Sequence, residues 1–309
     1  MAIVVVGTAF VDIKGFPLNA YIPGGRNAGK IEVVHGGVGR NVAEDIANAG
    51  IPVSLVSMAD NTSEGDNVVK RLKDSGVDTS YILSVPDGMG MWLAVFDETG
   101  DVVASISKRP NMEPMAKLLE EKGDEIFADC DSVVLEIDLE ENVVRSVFKY
   151  AQKYHKRIYA VVANMSIATQ RRELLKYVDC FVCNAEEAGI HFLRDYIDMS
   201  PEELSAELAE RVAAADIPSM VVTLGDKGAV YADRYGNKGE YPARRVQVRD
   251  TTGAGDAFCA GTAIGLTYGK TLPEAIEIGT RLAASVIIVP ENVCPRFEPK
   301  ELGIELEEK

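Results

Sequence analysis

R-D-T-T-G-A-G-D-A-F-C-A-G, at residues 249–261, is the most informative stretch of this sequence. Two glycines flank an alanine just before a run of small and apolar residues that ends near Tyr268, and such a run predicts a buried helix starting close to Gly255. Gly253 and Gly255 let the backbone turn tightly, so the amides of residues 253–256 can converge at the positive end of that helix. The stretch therefore predicts an anion-binding hole of phosphate size.

Asp256 falls in the first turn of this helix. Beside the predicted hole, its carboxylate can accept a proton from a hydroxyl group that attacks a bound phosphoryl group. Helix N-capping is the alternative role, but capping does not account for the two glycines. The helix dipole is expected to lower the pKa of Asp256, and a loose phosphoryl-transfer transition state needs little base strength until late.

A second glycine-rich segment, H-G-G-V-G-R-N-V-A-E-D-I-A-N-A-G, covers residues 35–50. Three glycines lead into a predicted helix at 41–49 whose apolar positions face a core, while Asn41 and Asp45 share the opposite face. Exposed amides and an asparagine at a helix start suit a polyhydroxylated ligand, because an amide side chain both donates and accepts hydrogen bonds.

The same segment has a competing interpretation. Gly37-Val38-Gly39 before a helix, with Asp60 about 20 residues further on, imitates a dinucleotide-binding fingerprint and leaves a nicotinamide-dependent oxidoreductase as an alternative. Val42 replaces the third glycine of that fingerprint, which opposes close packing of helix on strand. G-G-R-N-A-G-K at 24–30 has Walker A spacing, but Ile31 follows where a Ser or Thr should hold magnesium, so it is not a P-loop.

Apolar strands and helical stretches alternate along most of the chain, which predicts an α/β fold with a mostly parallel sheet covered by helices on both faces. The predicted strands cover 2–6, 53–58, 132–137, 157–162, 180–183 and 220–223, and helical stretches include 141–154 and 201–215. Two further segments, 91–96 and 102–107, flank D-E-T-G-D and predict an antiparallel hairpin that 31–34 can extend. The hairpin is either a lid over a site or a plain edge hairpin.

Composition narrows the class of protein. The 309 residues carry 48 acidic and 32 basic side chains, a formal net charge of −16, so non-specific nucleic-acid binding is not expected. The N-terminus has neither a signal-peptide pattern nor the length of a membrane span. Five cysteines without framework spacing predict a reducing, cytoplasmic location. Cys180 and Cys183 lie on a predicted strand with their side chains on opposite faces, so no zinc site is expected.

The segments G-G-V-G-R-N-V-A-E-D-I-A-N-A-G (36–50) and D-T-T-G-A-G-D-A-F-C-A-G (250–261) resemble the two signatures of the ribokinase-like (PfkB) carbohydrate and nucleoside kinases. They occur in the order and separation of that family, and the resemblance extends over nearly the whole chain. It implies one ribokinase-like domain over 1–309, with a three-layer α/β/α core. A small β-sheet lid would be formed from about 13–35 and 88–108.

The resemblance implies ATP-dependent transfer of a phosphoryl group to an alcohol, usually a sugar hydroxymethyl group. Asp256 would be the catalytic base, and the anion hole would comprise Gly253, Ala254 and Gly255. Asn184 and Glu187, in C-N-A-E-E-A-G, match the family's N-x-x-E motif, which organises Mg²⁺ and its waters. The chemistry agrees, since a hard cation with mostly water ligands needs only one or two carboxylates.

Further residues are implied by the same resemblance. The segment T-L-G-D-K-G (223–228) resembles the nucleotide-binding turn, with contacts from Thr223, Gly225, Lys227 and Gly228. Contacts to the acceptor are implied for Asp12, Gly37, Asn41 and Asp138. A monovalent cation such as K⁺ would lie near Asp250 and Thr252. Two stretches depart from the family pattern, A-N-M-S at 163–166 and V-P-E-N-V-C-P at 289–295, and the second is too different for adenine contacts to be assigned.

The acceptor is predicted less sharply than the reaction. N-A-G-K-I followed by G-G-V-G-R-N-V-A-E resembles pseudouridine kinases and related nucleoside kinases more than ribokinases or fructokinases. A base can dock on Met89, Met91, Trp92 and Phe96 of the hairpin, which otherwise serve as lid packing or as the contact of a homodimer through the lid. A free-sugar kinase of the ribokinase, fructokinase or 2-keto-3-deoxygluconate kinase type is the alternative, and a non-catalytic sugar-binding regulator is a third hypothesis.

Overall fold

A computed structural model describes residues 1–99 and 101–306 of the chain. The strands are, in chain order, β1 (Ile3–Val6), β2 (Phe10–Pro17), β3 (Gly29–Gly36), β4 (Val53–Asp60), β5 (Ile82–Val85), β6 (Gly90–Phe96), β7 (Val102–Lys108), β8 (Ser132–Glu136), β9 (Arg157–Val161), β10 (Cys180–Asn184), β11 (Ser219–Thr223), β12 (Ala229–Asp233) and β13 (Lys238–Tyr241). The α-helices are α1 (Val38–Asn48), α2 (Ser63–Ser75), α3 (Glu113–Ala128), α4 (Glu141–Lys153), α5 (Met165–Ala168), α6 (Ala185–Phe192), α7 (Pro201–Ala214), α8 (Ala254–Thr267) and α9 (Leu272–Val286).

The central sheet has the order β13-β12-β11-β10-β9-β8-β1-β4-β5 within the described residues, and only its β12 and β13 edge runs antiparallel. Side chains of β1 alternate between two cores. Ile3 and Val5 pack with apolar residues of α1, α8 and α9, whereas Val4 and Val6 pack with those of α3 and α4. The sheet is thus covered on both faces, and the predicted three-layer α/β/α architecture with a mostly parallel sheet is confirmed.

The second sheet has the order β3-β2-β6-β7 in the described part of the chain. The predicted hairpin is confirmed as β6 and β7, although Gly100 of the D-E-T-G-D turn lies outside the described residues. Residues 31–34 lie in β3, which pairs with β2 and not with the hairpin itself. In the register, Asp12 and Trp92 are neighbours on one face, and Ile13 and Leu93 are neighbours on the other.

The two sheets meet where β1 ends. Residues 7–9 connect β1 of the large sheet to β2 of the small one, so the small sheet projects from the carboxyl edge of the parallel strands. Ligand-binding residues of open α/β sheets collect at that edge. The β1–β2 connection therefore places the small sheet beside the position where a site is expected.

Two expectations from sequence have a clear outcome here. Cys180 and Cys183 belong to opposite cores, and all five cysteines are buried and unbonded. Helix α1 begins at Val38, three residues before the predicted start at Asn41, because Gly37 adopts φ 95° and ends the preceding strand there. Among the described residues, no helix combines the length and apolar character needed to cross a membrane.

Candidate active site

The N-terminus of α8 has the geometry of an anion-binding hole. Gly253 is left-handed (φ 82°), and a Cβ atom there would lie 2.0 Å from the carbonyl oxygen of Asn292. A Cβ atom on Gly255 would meet nothing within 4 Å, so this residue borders open space. Within the described residues, the amides of Gly255 and Asp256 have no hydrogen-bond acceptor. Two free donors at the positive end of a helix suit a phosphate group.

Asp256 joins the two glycine-rich segments. Its Oδ2 accepts a hydrogen bond of 2.6 Å from Nδ2 of Asn41, 215 residues away in the sequence. Burial raises the pKa of Asp256 to about 6, assisted by the charge of Asp12 and opposed by Asn41 and Arg40. The expectation of a lowered pKa is therefore wrong, because loss of hydration outweighs the favourable position at the helix end.

The glycines at 36–39 let β2 of the small sheet and the start of helix α1 approach each other beside Asp256. A Cβ atom on Gly36 would lie 2.3 Å from Oδ2 of Asp12, and one on Gly39 would lie 2.5 Å from the backbone of Gly7. Because these positions lack side chains, the Asp12 carboxylate can lie directly on the loop that leads to Asn41. Burial raises the pKa of Asp12, with Lys14 and Arg40 acting in the opposite direction.

A buried polar network holds this loop. The Arg40 side chain is fully buried and donates to Glu44, to the carbonyl of His35 and to Oδ1 of Asn292, the last at 3.0 Å. Nδ2 of Asn292 also donates to the His35 carbonyl, at 2.8 Å. Asn292 thus contacts the first glycine segment while its own carbonyl lies against Gly253 of the second.

The face that Asn41 and Asp45 share is buried rather than open. Asp45 is fully buried and accepts a 2.6 Å hydrogen bond from the amide of Cys294. The stretch 289–295, whose role the sequence left unassigned, therefore packs on α1. Its contacts support the loop beside Asp256.

Three charged residues in the cleft between the small sheet and the carboxyl edge of the large sheet were not predicted from the sequence. Glu136, at the end of β8, is buried and accepts hydrogen bonds from the amide and hydroxyl of Thr8, the first at 2.7 Å. Burial raises the pKa of Glu136 to about 8, with the nearby Asp138 adding to the effect. Lys14, 9% exposed, extends from the Asp12 face of β2, and its charge lowers the pKa of both Asp12 and Asp250. In the sequence, Glu136 is visible only as a charged residue at the end of an apolar strand. Lys14 is visible only as a charged residue in a segment where apolar and polar residues alternate.

Asp138 occupies a different environment from the one expected of an acceptor ligand. It is 1% exposed, and its carboxylate accepts hydrogen bonds from the amides of Ala163 and Asn164 and from Arg109. The group that remains exposed at this point is Arg109, the third missed residue, whose side chain is 36% accessible.

A cavity of about 600 Å³ lies on the other side of the α8 N-terminus. It includes Thr223, Gly225, Gly228, Ala254 and Gly255 of the predicted residues, but Lys227 is exposed and does not line it. Gly228 has φ 96°, and a Cβ atom there would lie 2.0 Å from the Tyr241 carbonyl. The apolar wall was not assigned from sequence and comprises Phe258, Ala283, Ala284, Ile287, Val246 and Val248. An apolar slot next to two free helix amides fits a nucleotide.

The N-x-x-E residues form a capping box at the start of α6. Asn184 Oδ1 accepts from the Glu187 amide, and Glu187 Oε2 accepts from the Asn184 amide, both at 2.8 Å. Burial raises the pKa of Glu187 to about 7, and the charges of Asp138 and Asp256 add to this. No group of three or more His, Cys, Asp or Glu side chains in the described ranges can hold a metal ion alone. A site with mostly water and phosphate ligands is compatible with this arrangement.

Asp250 and Thr252 shape the loop before the anion hole. Oδ1 of Asp250 accepts from the amide of Thr252 at 2.9 Å and from its hydroxyl at 2.8 Å. This turn directs the chain from the 600 Å³ cavity into Gly253. The prediction that these two residues also contact a monovalent cation stays a prediction.

Known proteins resemble this chain over most of its length. Residues 2–291 match the model of the pfkB family carbohydrate kinases. A guanosine-inosine kinase of Exiguobacterium acetylicum is 36% identical over 296 residues, covering 94% of this chain and 95% of the relative. A pseudouridine kinase of Escherichia coli K12 is 25% identical, with 89% and 87% covered. The structure of Arabidopsis thaliana ribokinase complexed with ribose and ATP superposes with a TM-score of 0.81 at 21% identity, covering 98% of this chain and 99% of that one.

The Gly-rich loop at 36–39 is now explained without a dinucleotide. It follows β3, which pairs antiparallel with β2 in the small sheet, whereas a dinucleotide fingerprint follows a strand of the parallel sheet. The oxidoreductase alternative therefore has no structural support. With signatures, fold and relatives in agreement, the chain belongs to the pfkB family of carbohydrate kinases and catalyses ATP-dependent transfer of a phosphoryl group to an alcohol of a sugar or nucleoside.

Proposed function

We propose that this enzyme transfers the γ-phosphoryl group of ATP to the 5′-hydroxymethyl group of a purine nucleoside, guanosine or inosine. The observation that carries the proposal is the contact between Asp256 and Asn41 at the N-terminus of α8, with the nucleotide cavity on one side and the lid on the other. The choice of nucleoside is supported by the 36% identity to a guanosine-inosine kinase over nearly the full length of both chains.

In this proposal each residue has a defined role. The Asp256 carboxylate takes the proton of the acceptor hydroxyl, whose oxygen forms a bond to the γ-phosphorus as the bond to the β-phosphate oxygen breaks and ADP leaves. Gly253 and Ala254 shape the turn that presents the amides of Gly255 and Asp256 to the transferring phosphoryl group. Asp12 and Asn41 orient the sugar hydroxyls, and Glu136 gives the sugar a buried carboxyl partner.

Two cation sites belong to the proposal. Glu187 and Asn184 would hold the waters of Mg²⁺, which when bound neutralises phosphate charge. Asp250 and Thr252 would support K⁺ next to the anion hole. Dialysis against EDTA should abolish turnover, and replacing K⁺ by Na⁺ should reduce it.

Two predictions from the sequence are part of the proposal: residues 1–309 form one domain, and the small sheet acts as its lid. The small sheet would close over the acceptor and exclude water, and its outer face would pair two copies of the chain. The row Val33, Ile13, Leu93 and Ile106 crosses that face in register, and Val33 and Ile106 are 57% and 70% exposed. Such a contiguous apolar row is typical of an interface.

The test is ADP release in a coupled assay with Mg²⁺, ATP and K⁺ against guanosine, inosine, adenosine, pseudouridine, ribose and fructose. The proposal expects the largest kcat/KM for guanosine and inosine. Pseudouridine is the second candidate, favoured by the lid sequence and by the 25% identical pseudouridine kinase. Preference for pseudouridine or for a free sugar would overturn the purine assignment and leave the role of Asp256 intact.

A further inference from the structure

Arg109 stands where the lid returns to the core. It follows β7 directly, and its Nη1 donates to the backbone carbonyl of Asp138 at 3.0 Å while Nη2 donates to the Asp138 carboxylate. That carboxylate also accepts hydrogen bonds of 2.8 and 3.1 Å from the amides of Ala163 and Asn164. Four donors on one buried residue fix Asp138, and Asp138 in turn fixes the guanidinium.

The Arg109 guanidinium is fixed in position, but some of its hydrogen-bond donors have no partner in the described residues. Arginine carries five N–H donors in a rigid fork, and two of them are used on Asp138. In the described residues no acceptor is found for Nε or for the remaining N–H groups, and the side chain stays 36% exposed. An oriented cation with free donors is ready to bind a ligand that presents adjacent acceptors.

Its neighbours place these donors near the acceptor rather than in bulk solvent. Asp12, Trp92 and Ser107 form one cross-strand row on the same face of the lid. Side chains alternate along a strand, so Arg109 continues the face of Ser107, two residues further toward the core. The charge of Arg109 also acts to lower the pKa of Glu136, the buried carboxyl group at the end of β8. The fork therefore borders the space between the lid and the sugar-side carboxylates.

We propose that Arg109, positioned by Asp138, recognises the O6 and N7 acceptors of a 6-oxopurine base and so selects guanosine and inosine over adenosine. This inference rests on the proposed function. Arginine is the side chain best matched to that pair of acceptors, whereas adenine presents an N6 amino donor at position 6 and leaves the fork facing another donor. Guanine and hypoxanthine share both acceptors, so one arginine accounts for the use of either nucleoside.

The experiment compares kcat/KM for guanosine, inosine, adenosine and 7-deazaguanosine, which lacks the N7 acceptor. The wild-type enzyme is expected to prefer guanosine to adenosine and to lose about 10-fold or more with 7-deazaguanosine. Arg109→Gln should reduce the guanosine-to-adenosine ratio by about 10- to 100-fold, because glutamine pairs with the N6 and N7 positions of adenine. The Arg109→Gln enzyme should also show equal kcat/KM for guanosine and 7-deazaguanosine, because the fork that contacts O6 and N7 together is gone.

Arg234→Gln is the matched control, since Arg234 forms an ion pair with Asp216 at the opposite edge of the sheet. It should leave all four values unchanged. An Arg109→Gln enzyme that loses activity equally on every nucleoside would assign Arg109 a structural tether and overturn the inference. Equal use of guanosine and 7-deazaguanosine by the wild-type enzyme would overturn it without any variant. Absence of wild-type activity on guanosine would instead overturn the proposed function, and this inference with it.

Discussion

Asp256 is the residue on which the proposed chemistry depends most directly. Asp256→Asn removes the proton acceptor but keeps a side chain of the same shape next to Asn41, so the fold and ATP binding should survive. We expect turnover to fall by about 10²-fold or more, as for the loss of a general base. Steady-state kinetics and ATP titration measure this. Asp66→Asn, in the exposed first turn of α2, is the control, and near-normal turnover of the Asp256 variant would contradict the assignment.

The raised pKa of Asp256 makes two pH-dependent effects measurable. A base with a pKa of about 6 must lose its proton to act, so kcat/KM should fall as the pH drops through about 6. The effect on folding stability has the opposite sign. A carboxyl group whose folded-state pKa lies above its ordinary value stabilises the folded state at low pH. For Asp256 this stabilisation is lost as the pH rises through about 6. Asp256→Asn should therefore raise the melting temperature more at pH 8 than at pH 5. Equal shifts at both values would show that burial does not control this group.

At the scale of the element, the first turn of α8 separates two kinds of glycine. Gly253→Ala forces a side chain into a left-handed position and against the Asn292 carbonyl, so we expect lower stability by about 1–3 kcal/mol or more. Gly255→Ala meets open space and should melt near the wild type. Its methyl group would nevertheless enter the anion hole and reduce turnover by about 10²-fold. Thermal melts and kinetics on both variants test this pair, and a stable Gly253→Ala enzyme would contradict it.

The elements with a clear apolar period were predictable from the sequence. Six strands of the central sheet, β1, β4, β8, β9, β10 and β11, and helices α4, α7 and α8 were expected within a few residues, because their burial follows one simple pattern. Strands β5, β12 and β13, at the two edges of that sheet, were not predicted. Strand β2 was missed: Asp12 and Lys14 interrupt its apolar positions, since that face covers a polar cleft instead of a core. The early start of α1 also depends on the backbone angle of Gly37, which composition alone does not fix.

At the scale of the whole molecule, the two signature segments were predictable but the contacts that join them were not. Asn41 reaches Asp256 across 215 residues, and Asn292 links Arg40 with Gly253. No local pattern encodes such pairs, because they arise only when α1, α8 and the segment after α9 pack together. The ion pair between Arg109 and Asp138 was missed for the same reason, since one partner follows β7 of the lid and the other follows β8.

The outer face of the lid carries the last prediction, which concerns assembly. Val33, Leu93 and Ile106 lie in one row, and Ile106 is 70% exposed in the single chain. Pairing two such faces would remove the row from water, so the enzyme should be a dimer at micromolar concentration. Ile106→Asp would place a charge within that contact, at the β7 end of the row, and should weaken dimerisation by about 30-fold or more, as expected for a buried interface anchor.

Light scattering coupled to size-exclusion chromatography measures both species. Ile197→Asp is the matched control, because Ile197 is 62% exposed but lies away from the lid, between α6 and α7. It should leave the mass of the dimer unchanged. A wild-type mass equal to the 33.4 kDa monomer, or equal masses for the two aspartate variants, would contradict a lid-mediated dimer. If Ile106→Asp yields an active monomer, the acceptor site is complete within one chain, whereas lost acceptor affinity with unchanged ATP affinity would mean that pairing holds the lid closed.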